Sequence, residues 1–156
     1  RTSWLTLIVM VLPSLFIAPS FKHGRGVFTN EVLEAGKTIE ISPVIILPAS
    51  DRLHIDNTLL HDYIFEWGKT PKAAVALGYL SIYNHTCPSN CVYEMDFSAG
   101  IMRVITVTSI QKGEELFINY HGDFANASPL WFPIESHRIS DGLKQKTPLS
   151  GGVYEK

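Results

Sequence analysis

The chain has 156 residues, of which 46% are hydrophobic and 18% are charged, and these values predict a single globular domain with a substantial core. The formal net charge is −2, so the chain offers no basic field and direct nucleic-acid binding is disfavoured. Two cysteines, Cys87 and Cys91, are too few for a disulfide framework, and we interpret both as buried small hydrophobic residues. The composition therefore favours a cytoplasmic protein.

The N-terminus carries an apolar run, with no charged residue between the first residue and Lys22. Residues 4–12 are almost wholly apolar, which is typical of a signal peptide or a membrane anchor. A spanning helix needs about 20 mostly apolar residues, and Pro13 and Pro19 interrupt this run. We therefore expect residues 1–14 to form an apolar extension that packs on the domain or forms a homo-oligomer, with an anchor or signal as the alternative.

The next feature is the sequence H-G-R-G at residues 23–26, which precedes an apolar pair and follows a predicted first strand at residues 15–18. Glycines here let the backbone adopt positive φ and approach a ligand closely. A dinucleotide-binding loop would open a helix, whereas strand-like segments flank this loop, so a dinucleotide fold is disfavoured. The alternative to a ligand-binding loop is a plain hairpin turn.

The middle of the chain shows mixed periodicity. Residues 38–47 predict a strand pair or a bent strand that breaks at Ser42-Pro43, and residues 48–51 are expected to end it. Apolar residues at helical spacing up to Trp67 predict a helix with Asp56 or Asn57 as its cap. The alanine-rich residues 72–82 predict a short buried helix, and residues 90–96 and 101–110 predict two strands.

Two further motifs follow, N-H-T-C-P-S-N at residues 84–90 and E-L-F-I-N-Y at residues 115–120. With the H-G-R-G loop, they resemble in order and spacing the motifs of the SET domain, a family of protein lysine methyltransferases. The family patterns are N-H-S-C-x-P-N and E-L-x-x-D-Y, so Thr86, Ser89 and Asn119 depart from them. We expect Asn119 to retain hydrogen-bonding capacity but to order the following loop less well. The resemblance covers roughly residues 16–135.

The resemblance implies a mainly β fold, the SET or β-clip fold. Several small sheets, one or two short helices and a pseudoknot-like crossing near the active site are expected. The SET domain would span residues 15–135, between the apolar extension and a polar, flexible tail at residues 136–156.

The resemblance also implies transfer of a methyl group from S-adenosylmethionine to the ε-amine of a protein lysine. Tyr120 and Tyr93 are the implied catalytic residues: the Tyr120 hydroxyl and the backbone carbonyls near residues 82 and 83 would orient the methyl group. Tyr93 would restrict the number of methyl groups and hold the amine. The implied cofactor-binding residues are His23, Gly24, Arg25, Gly26, Asn84, His85, Tyr120 and Trp131.

Four alternatives accompany this interpretation. His85, Cys87 and Cys91, with His121, could suggest zinc, but one loop gives at most three ligands where a structural zinc needs four, so no metal is expected. A Cys–His nucleophile pair lacks an orienting third group. A catalytically idle SET-like module would bind peptide without transfer, and a membrane-tethered or secreted β-rich protein would resemble the family only in its turns. The mild acidity suits a basic protein substrate laid along an edge strand.

Overall fold

The computed structural model describes residues 9–129, and β-strands dominate this part of the chain. The strands are β1 (Met10–Val11), β2 (Leu15–Pro19), β3 (Arg25–Thr29), β4 (Thr38–Leu47), β5 (Phe65–Glu66), β6 (Ala73–Ala76), β7 (Asn84–His85), β8 (Cys91–Asp96), β9 (Ile101–Thr106) and β10 (Glu115–Ile118). One α-helix, α1 (Ala49–Ile55), and two 3-10 helices, Leu59–Tyr63 and Leu80–Ile82, accompany them. The predicted mainly β fold is confirmed.

The strands form two sheets. The larger sheet has the order β5-β6-β4-β9-β8, and β1 also pairs with β4. The smaller sheet has the order β2-β3-β10-β7, in which β2 and β3 form a hairpin around the H-G-R-G loop. The hairpin turn is therefore confirmed, and it is compatible with a ligand approaching the loop glycines, which stays a prediction.

The smaller sheet closes through a crossing of two distant segments. Strand β7 pairs in parallel with β10, so that Asn84 lies opposite Phe117 and His85 opposite Ile118. The side chain of Asn90 extends this crossing: it donates to the Glu115 carbonyl at 2.9 Å and accepts from the Phe117 amide at 2.7 Å. The predicted crossing of the Asn84 loop with the segment before Tyr120 is therefore confirmed.

A single cluster of buried side chains lies between the sheets. Burial of these apolar groups is the main favourable contribution to folding. The largest fully buried apolar members are Tyr83, Leu33, Ile39, Leu80, Met102, Ile110, Leu116 and Ile118. Tyr83 and Leu80 come from the segment that leads into β7, so the core holds the crossing in place.

Strand β4 does not break at Ser42-Pro43, contrary to the prediction. It runs for ten residues, and its irregularity lies between Thr38 and Glu40. Proline is tolerated because it marks a change of partner: residues up to Pro43 pair with β9, and those from Val44 pair with β6. The missing amide of Pro43 therefore falls where one ladder gives way to the next.

The helix predicted up to Trp67 was wrong in position. The α-helix begins after Pro48 and ends at Ile55, and Asp56 is its C-terminal cap rather than its N-terminal cap. Pro48 ends β4 and also starts the helix, because its fixed φ suits a first turn. Only a 3-10 helix, Leu59–Tyr63, forms in the predicted region.

The buried helix predicted for residues 72–82 was also wrong over its first half. Ala73, Ala74 and Ala76 are buried in β6, which bonds to β4 on one side and β5 on the other. Tertiary pairing along both edges overrides the helical preference of alanine. Only Leu80–Ile82 is helical.

The predicted N-terminal extension contributes to the sheet where it is described. Strand β1 precedes the predicted first strand and pairs with Ile41 and Glu40 of β4. Within residues 9–129 the single α-helix has seven residues, so none of the described helices is long enough to cross a bilayer. The later strand predictions hold for β8, whereas the strand predicted at residues 101–110 ends at Thr106.

Candidate active site

The two tyrosines predicted to be catalytic lie together at the crossing. The Tyr120 hydroxyl donates to the Tyr83 carbonyl at 3.1 Å. The Tyr93 hydroxyl donates to the Tyr120 backbone carbonyl at 3.3 Å. Tyr120 lies two residues after β10 and Tyr93 lies in β8, so the contact depends on the approach of two strands from different sheets.

Both phenols are held in the neutral form. Burial, assisted by the nearby Asp62 and Tyr63, raises the pKa of Tyr120 to about 12. Burial, and then Glu66, raises the pKa of Tyr93 above its ordinary value. Both hydroxyls therefore remain protonated near neutral pH, where they can donate and accept hydrogen bonds but cannot act as phenolate bases.

Aromatic and small residues surround Tyr93. The ring of Phe65 meets the Tyr93 ring edge-on, with 5.3 Å between centroids. A Cβ on Gly122 would lie 3.4 Å from the Tyr93 hydroxyl, so the loop after Tyr120 also borders this position. The Phe65 ring and the Gly122 backbone therefore border Tyr93.

Asn84, the residue after Tyr83, contacts the glycine loop. Its side-chain amide nitrogen lies 3.1 Å from the His23 carbonyl, 3.1 Å from the Arg25 carbonyl and 2.8 Å from Glu115 Oε1. Three acceptors thus share one amino group, which has two hydrogens. The predicted cofactor-binding residues of the loop and of β7 are therefore brought together, with the Asn84 amide directed at the protein.

The glycine loop has a closed inner face and an open outer face. A Cβ on Gly26 would overlap Glu115 Oε1, so only glycine fits between this carboxylate and β3. Gly24 has φ +52° and no atom within 4 Å of its Cβ position. His23, Gly24 and Arg25 are exposed, whereas Gly26 is buried.

The sequence interpretation gave no role to Glu115 or Asn90, although both lie in the motifs. Glu115 Oε1 accepts from Asn84, and its Oε2 accepts from the Ser20 hydroxyl at 2.8 Å. The available signal was a carboxylate at the start of an otherwise apolar strand. Its partners, however, are 31 and 95 residues away in sequence, which a local pattern does not identify.

His85 supports the backbone of Tyr120. Its Nδ1 accepts from the Tyr120 amide at 3.2 Å, and the two rings lie 5.2 Å apart. Burial, followed by the nearby His121 and Lys22, lowers the pKa of His85 below 6.5. The neutral ring, with its proton on Nε2, is therefore the form that holds Tyr120.

Because the folded protein holds His85 in its neutral form, we expect the protein to lose stability in mild acid. The unfolded chain binds the His85 proton more readily than the folded chain, so the free energy of unfolding should fall as the pH drops through 6.5. The loss should be complete below the folded-state pKa. Denaturant unfolding between pH 5 and 8 measures it, and His85→Asn, whose amide oxygen can replace Nδ1, is the matched variant. An equal pH dependence in both proteins would contradict the role of His85.

Asn119 and Ser89, which depart from the family pattern, form hydrogen bonds with the loop after Tyr120. Asn119, which is 2% exposed, donates to the Asn126 carbonyl at 2.7 Å and accepts from the His121 amide at 3.0 Å. Ser89 donates its amide to the Phe124 carbonyl at 3.0 Å, a bond that proline could not form. Asn119 therefore keeps the hydrogen-bonding capacity that was expected of it, and its amide supplies a donor that a carboxylate lacks.

We expect Asn119→Asp to destabilise the protein by about 1–3 kcal/mol, because a buried carboxylate would face the Asn126 carbonyl without a donor. Thermal or urea unfolding would measure the change. Asn30→Asp makes the same chemical change at an exposed position and should be nearly neutral. Equal stability of both variants would show that the Asn119 amide contributes nothing.

Several other predicted features have a definite outcome. Cys91 is buried, as expected, and burial raises its pKa to about 12, but Cys87 is exposed, so the interpretation of Cys87 was wrong. Within residues 9–129, no three His, Cys, Asp or Glu side chains are grouped as metal ligands. Trp131 and the tail at residues 136–156 lie outside the described residues.

Comparison with known proteins identifies the family. A family model of the SET domain matches residues 24–121. A Schizosaccharomyces pombe protein, named histone-lysine N-methyltransferase, H3 lysine-37 specific, is 33% identical over 134 residues, which cover 85% of this chain and 86% of the relative.

Solved structures agree with this assignment. The crystal structure of a candidate histone methyltransferase from Plasmodium falciparum is 29% identical, with a TM-score of 0.54 over 69% of this chain and 92% of that chain. A humanized mutant of Polycomb Repressive Complex 2 from Chaetomium thermophilum shares the fold over 74% of this chain and 16% of that chain, with a TM-score of 0.61 at 18% identity. The chain therefore belongs to the SET domain family, and the predicted enzyme class, a protein lysine methyltransferase, is confirmed.

Proposed function

We propose that the protein transfers a methyl group from S-adenosylmethionine to the ε-amine of a protein lysine, and that Tyr120 and Tyr93 orient the reacting groups. The observation that supports this most is the pair of neutral phenols at the crossing, joined through the Tyr83 and Tyr120 carbonyls. When bound, S-adenosylmethionine would supply an electrophilic methyl group: a neutral amine would bond to the methyl carbon as its bond to the sulfonium sulfur breaks, and the neutral thioether would leave.

Two features of the glycine loop support cofactor binding. Open space faces Gly24, and Lys22 and Arg25 carry positive charge on the same exposed loop, as a carboxylate of the cofactor would require. The backbone of β7 lies beside the loop through the Asn84 amide. We assign the loop, Asn84 and His85 to cofactor binding, with Asn84 acting by holding the loop in shape.

Oxygen atoms of the tyrosines can orient the methyl group and stabilise it by weak electrostatic contacts. The Tyr83 carbonyl and the Tyr120 hydroxyl are two oxygens 3.1 Å apart, and the lone pairs that their mutual hydrogen bond does not use could hold a methyl group by C–H···O contacts. Because these oxygens are fixed before the substrate arrives, they need little reorganisation during transfer. Correct alignment of reacting atoms is worth several kcal/mol of activation free energy.

The lysine must lose a proton before it can attack. An amine with a pKa near 10.4 is neutral in roughly one molecule in 2,500 at pH 7. The aromatic walls formed by Phe65 and Tyr93 would desolvate the ammonium group and lower its pKa. The Tyr93 hydroxyl can then hold the neutral amine by a hydrogen bond, and the proton leaves to solvent.

We further propose a lysine in a basic protein, such as a histone tail, as substrate. The S. pombe relative is named for histone H3, and two exposed carboxylates, Asp62 and Glu66, lie close enough to Tyr120 and Tyr93 to raise their pKa values. Strand β5, which contains Glu66, is an edge of the larger sheet and can pair with an extended peptide. If the substrate is a nuclear histone, the protein would act in the nucleus rather than in the cytoplasm. The cytoplasmic location stays a prediction.

The test is methyl transfer from labelled S-adenosylmethionine to histone H3 and to other lysine-rich proteins, with the modified residue located by mass spectrometry. Label on a lysine is expected, and the KM for an H3 peptide should rise with salt because surface charge attraction is screened. Cofactor binding without any transfer would favour the idle module. Failure to bind the cofactor would overturn the proposal.

A further inference from the structure

Glu40 is a fully buried carboxylate that the proposed chemistry does not use. It lies inside β4, between Ile39 and Ile41, and is 0% exposed. Its Oε1 accepts from the Ser42 hydroxyl at 2.6 Å, the Tyr79 amide at 2.8 Å and the Leu80 amide at 3.0 Å. Burying a carboxylate costs free energy, and the hydrogen bonds compensate only in part, because its Oε2 has no hydrogen-bond partner among the described residues.

The two amides belong to the start of the 3-10 helix Leu80–Ile82. The first amides of a helix have no partner within the helix, and the cap residue, Tyr79, provides no side-chain bond. Glu40 supplies this cap from a strand 39 residues earlier. Gly78 is required for the approach, because a Cβ there would overlap Glu40 Oε1 and Ser42 Oγ.

The far end of the same helix forms the active site. Tyr83 follows Ile82 directly, and its carbonyl accepts from the Tyr120 hydroxyl at 3.1 Å. The Tyr83 ring is buried, and the proximity of Glu40 contributes to the raised pKa of Tyr83 after burial itself. Glu40 therefore acts on both ends of the segment: on its first amides by hydrogen bonds and on its last ring by charge.

We infer that Glu40 is a positioning residue for methyl transfer: it fixes the start of the 3-10 helix and thereby directs the Tyr83 carbonyl toward the Tyr120 hydroxyl. The inference rests on the proposed function. The helix has only three residues, so we expect a displacement of its first amides to displace the Tyr83 carbonyl by a similar distance. A misplacement of about 1 Å can reduce turnover roughly 100-fold.

The test compares Glu40→Met, which keeps volume but has no acceptor, with Glu40→Gln, which keeps an acceptor oxygen for the amides. In the full chain, kcat should fall at least about 10-fold in Glu40→Met, while the Kd for S-adenosylmethionine stays within about twofold. Glu40→Gln should retain kcat within about threefold. Unchanged kcat in a folded Glu40→Met protein would overturn the inference.

Two direct measurements separate positioning from stability and from the proposed function. Amide exchange by NMR should show lost protection of Tyr79 and Leu80 in Glu40→Met, and the Tyr120 ring resonances should shift. Both measurements can be made even if the wild-type chain transfers no methyl group. Unchanged amide exchange and unchanged Tyr120 resonances in Glu40→Met would refute the positioning role of Glu40. If Glu40→Met does not fold, Gly78→Ala must produce the same changes through its overlap with Glu40, and an unaltered Gly78→Ala protein would refute the inference.

Discussion

Tyr120→Phe should lower kcat by about 100-fold or more while the Kd for S-adenosylmethionine changes little. The substitution removes one oxygen, the hydroxyl that lies 3.1 Å from the Tyr83 carbonyl, and keeps the ring that packs beside His85. The loss should appear in kcat rather than in cofactor affinity, because in the proposed mechanism the hydroxyl acts on the reacting methyl group. Single-turnover methyl transfer and a separate binding titration measure the two quantities.

Tyr93→Phe is the matched comparison, because it removes a phenolic hydroxyl from the same site. Tyr93 contacts the Tyr120 backbone rather than the Tyr83 carbonyl, so its loss should leave the Tyr120 hydroxyl in place. We expect a smaller fall in turnover and a higher proportion of multiply methylated lysine, read by mass spectrometry. Equal activity of wild type and Tyr120→Phe would remove Tyr120 from the mechanism.

Asn84→Asp should be the most damaging isosteric change in the proposed cofactor site. The new oxygen would face the His23 and Arg25 carbonyls and the Glu115 carboxylate in place of a shared donor. Because Asn84 is buried, we expect a loss of about 3–5 kcal/mol in the free energy of unfolding, together with weaker cofactor binding. Urea unfolding and a titration with S-adenosylmethionine measure both effects.

The double variant Asn84→Asp, Glu115→Gln tests the cause. Glutamine at position 115 removes the negative charge and offers a donor to the new carboxylate, so part of the lost stability should return. Asn30→Asp, at an exposed position, is the control for the added charge. If the double variant were no more stable than Asn84→Asp, repulsion from Glu115 would not be the reason for the loss.

The sequence by itself determined the family, the mainly β class and the enzyme class. Motif residues such as Asn84, His85 and Tyr120 have little freedom of type, because the crossing requires their particular donors, acceptors and rings. Strand β8 and the first part of β9 were also predictable, since alternation of apolar and polar residues is a local property.

Only the tertiary structure decided which residues support the site. Alanines of β6 are helix formers, yet pairing along both strand edges makes them extended. The donors to Glu115 and the backbone amides that donate to Glu40 lie 31 to 95 residues away in sequence. The Asn119 amide donates to the Asn126 carbonyl in the following loop, a contact that the sequence does not indicate. Local patterns record the preferences of neighbouring residues, whereas a buried polar group is specified by whichever distant donor the fold brings to it.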